Sequence, residues 1–86
     1  MDHSAHDLQI VIAATAEVLQ ISPAGLTVDT RFEDIAADSI AIIVIADRIE
    51  SLDSAVTVSN DDMLFAATLG EMAAAMKRVH DVNAER

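Results

Sequence analysis

Apolar residues recur at the three- and four-residue spacing of an α-helix in three separate stretches of the chain. This spacing places them along one side of a helix, and that side is then buried against other elements. The three stripes are Leu8, Val11, Ile12, Val18 and Leu19; Ile42, Ile45, Ala46, Ile49 and Leu52; and Leu69, Met72, Ala73, Met76 and Val79. They predict helices from about Ser4 to Leu19, from Asp38 to about Leu52, and from about Leu69 to Arg78 or His80.

Capping residues and breakers complete this arrangement. Ser59 or Asn60 can cap a short helical segment that extends to about Phe65, and Thr68 with Glu71 forms a capping box. Residues 21–37 and 53–59 have no sustained period and predict loops. We therefore expect an all-α fold. It is a small four-helix bundle with three longer helices, a short third helix and a long first loop.

One segment and one residue of the predicted helices do not follow the simple pattern. Residues 40–45 are rich in Ile and Val, which by propensity suits a buried strand. We favour a helix because the stripe continues to Leu52 and because Asp38 followed by Ser39 makes a good helix start. Thr15 occupies a place on the first stripe. We expect its methyl to pack inward and its hydroxyl to bond a carbonyl one turn back.

Composition sets the size and setting of the bundle. The 86 residues make one domain, 1–86, with a polar tail at about 81–86. The only aromatic residues are Phe32 and Phe65, so the core must be aliphatic. The lack of cysteine excludes disulfides, thiolate catalysis and cysteine-based zinc sites. The longest apolar run is the seven residues Ile40–Ala46, which is too short to span a bilayer, and we expect a cytoplasmic monomer.

The charge of the chain restricts its partners. Fifteen acidic residues against five basic ones give a net charge of −10. That field repels phosphate backbones and anionic lipid headgroups, so we expect neither nucleic acid nor a membrane as a direct partner. Residues 28–62 hold nine acids against Arg31 and Arg48, which is −7 of the total −10. This concentration favours docking to a basic protein surface.

Ser39 is the residue most open to chemistry, but not to catalysis by this chain. A nucleophilic serine needs a base within reach, and the three histidines (His3, His6 and His80) all lie near the termini. The charge of Asp38 also disfavours an alkoxide at the neighbouring hydroxyl. His3 and His6 could share a metal ion, but we expect no metal site. The simplest interpretation of Asp38 and Ser39 is a helix cap. A phosphate on Ser39 would nevertheless face free backbone N–H groups at the positive helix end.

The stretch from Phe32 to Ile40 resembles the signature of acyl carrier proteins, Phe-x-(Asp/Glu)-Leu-Gly-x-Asp-Ser-(Leu/Ile). The likeness extends over nearly the whole chain, through the first helix, the long loop and the Thr68–Glu71 start of the last helix. It implies that Ser39 bears a 4′-phosphopantetheine arm whose thiol carries a substrate as a thioester. It also implies that Asp38 helps to hold the Mg²⁺ used by the phosphopantetheinyl transferase. Ile40 would meet that transferase and other partners.

The chain departs from this family pattern at several positions. Ala36 replaces the usual glycine, so the loop must avoid a left-handed turn there or strain it. Ala41 and Val44 stand where fatty-acid carriers have acids, and Asp47 stands where the family often has an apolar residue. The predicted partner-binding residues are Ile40, Ile43, Val44, Asp47 and Glu50. Packing against the long loop is the alternative for the first three.

These departures indicate a carrier with dedicated partners in a polyketide or other secondary-metabolite pathway, not itself an enzyme. Its partners would be an acyltransferase, a ketosynthase or acyl- or aminoacyl-loading enzymes, besides the transferase. Four alternatives remain open. They are an aminoacyl or peptidyl carrier, although such carriers usually have Gly-Gly-x-Ser at the serine; a carrier for housekeeping fatty-acid synthesis; an unmodified acidic helical interaction module; and a hydrolase that uses Ser39.

Overall fold

The computed structural model describes residues 4–78, and helices dominate them. In chain order the elements are α1 (Ser4–Leu19), α2 (Ser39–Leu52), β1 (Val56–Val58), α3 (Asn60–Phe65), α4 (Leu69–Ala75) and β2 (Met76–Arg78), with short 3₁₀ helices at Pro23–Gly25 and Phe32–Ile35. The predicted four-helix arrangement with a long first connection is confirmed. None of the helices described in this range is long and apolar enough to cross a membrane.

The core is aliphatic, as the composition predicts. α1 packs against both α2 and α4, while α3 packs against α2 and α4. Each long element contributes its apolar stripe. The buried side chains include Val11 and Ala14 from α1, Ile42, Ile45, Ala46 and Ile49 from α2, Met63 from α3, and Leu69, Met72 and Ala73 from α4. Phe32, only 3% exposed, is the aromatic residue in this core, whereas Phe65 lies outside it.

The last helix is shorter than predicted, and this part of the prediction is wrong. α4 ends at Ala75, and Met76–Arg78 instead pairs antiparallel with β1, with Val58 opposite Met76 and Val56 opposite Arg78. Val56 and Val58 are buried and Thr57 is exposed, which is the alternation of a half-buried strand. The apolar spacing of the last stripe does not show whether the chain continues as a helix or becomes a strand at Met76. Met76 would be partly buried in either case, and it is partly buried as a strand residue here. Val79 and His80 lie outside the described residues.

The long connection between α1 and α2 is held against α4 by main-chain hydrogen bonds. Leu69 N–H donates to the Thr30 carbonyl and Gly70 N–H to the Val28 carbonyl, both at 3.0 Å. Gly70 permits this approach because a Cβ there would lie 2.5 Å from Val28 Cγ2 and 2.9 Å from its carbonyl oxygen. The predicted loop is therefore a connection that packs against the bundle and contains two 3₁₀ helices. Its buried side chains Leu26 and Phe32 anchor it in the core.

Thr15 differs from the prediction in one respect. Its side chain is fully buried, so the methyl packs inward as expected. Its hydroxyl, however, has no hydrogen-bond partner among the described residues. The predicted bond to a carbonyl one turn back is therefore absent from this part of the chain. A buried hydroxyl without a partner costs free energy, because it gives up its bonds to water and gains none.

The predicted helix caps are confirmed at α3 and α4. Ser59 Oγ accepts from the Asp62 N–H at 3.5 Å, and Thr68 Oγ1 accepts from the Glu71 N–H at 3.1 Å. The carboxylate of Glu71 completes the capping box by accepting from the Ala67 N–H at 2.7 Å. That amide is one residue earlier than in the usual form of the motif, in which the acid bonds the N–H of the capping residue itself.

Candidate functional site

Ser39 is the first residue of α2 and its side chain is exposed. The preceding Asp38 is the predicted N-cap, and its Oδ1 accepts from the Ala41 N–H at 2.9 Å. The first α-helical bond of α2 runs from the Ile42 N–H to the Asp38 carbonyl, also at 2.9 Å. The amides of Ser39 and Ile40 precede that bond and point out of the helix start. A negative group on the Ser39 oxygen would therefore meet backbone donors and the positive end of the helix dipole.

Other serines of the chain occupy different settings. Ser22 and Ser59 act as caps themselves, because their hydroxyls accept from the N–H groups of Ala24 and Asp62. Ser51 and Ser54 lie in the last turn of α2 and just beyond it. Among the serines whose side chains the structure describes, Ser39 alone opens an α-helix. There Asp38 provides the cap, which leaves the Ser39 hydroxyl available for modification.

Ala36 adopts a left-handed backbone conformation three residues before Ser39. Its φ is 59° and its ψ is 32°, in the region that favours glycine. It closes the 3₁₀ helix Phe32–Ile35, and the Ala37 N–H then donates to the Phe32 carbonyl at 3.0 Å. Of the two outcomes considered from the sequence, the structure shows the strained turn. The left-handed turn for which the resemblance implies a glycine is thus formed by alanine, and it leads the chain into α2.

The outer face of α2 is apolar next to Ser39. Ile40 is 71% exposed, Ile43 47% and Val44 46%, on the side opposite the buried Ile42, Ile45 and Ile49. These exposures argue against the alternative in which all three pack against the long loop. Asp47, one turn further along, is also exposed. α2 therefore presents apolar side chains both to the core and to solvent over its first two turns.

Glu50 has an internal role that the sequence did not indicate. Its Oε2 accepts from the Thr57 hydroxyl at 3.0 Å and from the Val58 N–H at 2.9 Å. The half-buried carboxylate thus fastens β1 to α2. The contact could not be found from the sequence because residues 53–59 were predicted to be a loop. The suggested contact of Glu50 with partners stays a prediction.

Both arginines in the acidic stretch are ion-paired within the chain. Arg31 Nε lies 3.2 Å from Glu33 Oε2, and Arg48 joins α2 to α1 through a two-bond pair with Glu17, in which its Nε lies 2.8 Å from Oε1. The hydrogen bond from Arg48 holds the pKa of the Glu17 carboxyl below its ordinary value. Of the other acids in residues 28–62, Glu50 and Asp53 are half-buried, and the exposed ones are Asp29, Asp34, Asp38, Asp47, Asp61 and Asp62. Asp34 and Asp38 therefore place exposed carboxylates just before Ser39, and the exposed apolar side chains of α2 follow it.

Two exposed apolar residues on α3 were not predicted. Leu64 is 46% exposed and Phe65 is 87% exposed, while the neighbouring Met63 is buried at 1%. α3 has six residues, too few for a periodic pattern to show which side faces the core. No sequence signal could have identified this exposure.

The histidine pair considered as a metal site is only partly described. His6 Nε2 lies 3.7 Å from Asp53 Oδ2, and His3 lies outside the described residues. Between residues 4 and 78 no group of three or more histidine and acidic side chains is placed to hold a metal ion.

The comparison with known proteins identifies the family. The family model described as "phosphopantetheine attachment site" matches residues 9–76, which include most of α1, the whole of α2 and α4. No curated protein and no solved structure matches the chain. Members of this family bind 4′-phosphopantetheine covalently on a serine, and they carry intermediates for enzymes without being catalytic themselves. The chain belongs to the phosphopantetheine attachment family and is a carrier protein of the acyl-carrier type.

Proposed function

We propose that Ser39 carries the 4′-phosphopantetheine arm and that the arm holds an acyl or related intermediate as a thioester. The observation that supports this most directly is the exposed Ser39 hydroxyl at the start of α2, beside a separate capping residue. The phosphodiester would be stabilised by the free amides of the first turn. The thiol comes with the cofactor, since the chain has no cysteine.

Asp38 takes part in loading as well as in capping. One of its carboxylate oxygens, Oδ1, accepts the Ala41 N–H, and the side chain is exposed beside the hydroxyl that is modified. Carboxylate oxygens are ligands that Mg²⁺ prefers. We propose that Asp38 helps to hold the Mg²⁺ that accompanies coenzyme A in the transferase.

The outer face of α2 is the basis for our proposal about the biosynthetic pathway that this carrier serves. Carriers of this family interact with transferases and synthase enzymes in general. Here Ile40, Ile43 and Val44 give partners an apolar first contact, with Asp47 following one turn on. Glu50 belongs to the same proposed surface, although it also bonds β1. This chemistry favours dedicated acyltransferase, ketosynthase or loading enzymes of a polyketide or other secondary-metabolite pathway.

Intact-mass measurement tests the attachment site. The protein is incubated with coenzyme A, Mg²⁺ and a broad-specificity phosphopantetheinyl transferase. We expect the wild type to gain the mass of one phosphopantetheine and Ser39→Ala to gain none. Ser51→Ala, an exposed serine at the other end of α2, is the matched control and should load normally. No gain in the wild type, or a gain that persists in Ser39→Ala, would refute the assignment.

A second experiment tests the pathway. The loaded protein is titrated against purified enzymes of fatty-acid synthesis, with their usual carrier as the reference. We expect much lower turnover, because the acids that such enzymes bind are replaced by Ala41 and Val44. Equal turnover would instead favour a housekeeping carrier, and loading by an amino-acid-adenylating enzyme would favour an aminoacyl carrier.

A further inference from the structure

Phe65 is the most exposed large apolar side chain among the residues that the structure describes. It is 87% exposed at the end of α3, beside Leu64 at 46%. The chain has one other aromatic residue, Phe32, and the fold buries it almost completely. Exposing the second aromatic gives up the burial that a large apolar side chain would otherwise contribute. We call Leu64 and Phe65 the α3 apolar pair.

The α3 apolar pair lies at the end of the bundle where α2 begins. Two residues after Phe65, the Ala67 carbonyl accepts from the Phe32 N–H at 3.0 Å. The Phe32 carbonyl in turn accepts from the Ala37 N–H at 3.0 Å, two residues before Ser39. Main-chain hydrogen bonds thus join the end of α3 to the turn that leads into α2, and α3 also packs against α2. An enzyme that reaches Ser39 approaches this same end.

The charges near the end of α3 and the start of α2 indicate what kind of partner surface could bind there. Asp61 and Asp62 lie in the first turn of α3, and Asp34 and Asp38 flank the turn into α2. A second copy of this chain would bring the same acids together and would be repelled. An apolar pocket rimmed by Lys and Arg would instead match both the α3 apolar pair and these acids.

We propose that the α3 apolar pair, together with Ile40, is a docking anchor for the transferase that loads Ser39, with Phe65 inserted into an apolar pocket rimmed by basic residues. This proposal rests on the assignment of Ser39 as the attachment site. Exposed aromatic side chains are typical anchors of protein interfaces because they bury a large area at little entropic cost. Phe65 is a binding residue here and takes no part in the chemistry.

The test is the steady-state kinetics of loading by one broad-specificity phosphopantetheinyl transferase with coenzyme A and Mg²⁺, followed by intact mass. We expect Phe65→Ala to raise KM for the carrier about tenfold with kcat unchanged, because a remote contact contributes to binding alone. Phe65→Leu should recover most of this loss. Leu52→Ala is the matched control, since Leu52 is 45% exposed but lies about 18 Å along α2 from Ile40, and it should behave as wild type.

Three results would overturn the proposal. The first is an unchanged KM in Phe65→Ala, with circular dichroism showing that the variant is folded. The second is an equal rise of KM in Leu52→Ala, which would indicate a general effect of lost apolar surface. The third is self-association of the wild type that Phe65→Ala abolishes, which would assign the pair to a second copy. If the wild type is not loaded at all, the assignment of Ser39 fails and the docking proposal fails with it.

Discussion

Replacing Ala36 by glycine should stabilise the folded protein, although the substitution removes a methyl group. Ala36 has a φ of 59° and an exposed side chain, so its Cβ is strained and contributes little packing. The left-handed conformation costs a residue with a Cβ about 1–2 kcal/mol. Glycine avoids this cost but gains about 0.5–1 kcal/mol of conformational freedom in the unfolded chain. We expect a net gain of about 0.5–1 kcal/mol in the free energy of unfolding.

Urea denaturation followed by far-ultraviolet circular dichroism measures this change. The chain has no Trp or Tyr, so the helical signal is a more suitable probe than intrinsic fluorescence. The midpoint should rise with an unchanged slope, because the surface exposed on unfolding is nearly the same. In a thermal scan the gain corresponds to a rise in Tm of roughly 2–8 °C.

Ala37→Gly is the matched control for this prediction. Ala37 is the next residue, but it is 7% exposed and its φ is not positive. Glycine there loses a buried methyl and adds unfolded-state freedom, so the variant should be less stable by about 1 kcal/mol or more. If Ala36→Gly is no more stable than the wild type, or if both variants shift in the same direction, backbone strain at Ala36 is not the cause.

Three other substitutions test separate features of the structure. Thr15→Val should raise the free energy of unfolding by about 1 kcal/mol in urea denaturation, because it removes a buried hydroxyl without a partner and keeps the shape; a loss would mean that the hydroxyl is satisfied. Gly70→Ala should lower it by about 1–3 kcal/mol, because its Cβ would collide with Val28, and an unchanged midpoint would contradict the close approach. Asp38→Asn should keep the wild-type Tm, since Asn caps equally well, yet it should need more Mg²⁺ for half-maximal loading. An unchanged Mg²⁺ dependence would contradict the proposed role of Asp38 in holding Mg²⁺.

The helices could be predicted because their signals are local. Caps such as Asp38, Ser59 and Thr68 sit next to periodic stripes, and each stripe fixes which side of its helix is buried. The strand β2 could not be predicted, because its formation depends on β1, which is nearly twenty residues earlier in the chain. The bonds of Glu50 to β1 were missed for the same reason, since they require two elements to be placed first.

For the candidate site too, local sequence motifs could be predicted, whereas features that depend on tertiary packing could not. The resemblance around Asp38 and Ser39 is a contiguous motif, so its position at the start of α2 followed from sequence. The exposure of Ile40 and Val44 was a hypothesis that only the packing of α2 could test, because the sequence there is apolar nearly all round the helix. Phe65 had no periodic context, and only its place on the folded surface shows that it is exposed.

The main-chain bonds between the long connection and α4 have a consequence for the order of events during synthesis. Val28 and Thr30 find their hydrogen-bond partners in Gly70 and Leu69, roughly forty residues later in the chain. Ribosomes synthesise a chain from its N-terminus to its C-terminus. The segment before Ser39 is therefore made well before the residues that hold it in place. We expect a truncated, released chain that ends before Leu69 to be a poor transferase substrate even though it contains Ser39. Attachment of phosphopantetheine would then indicate that the helical bundle has already folded.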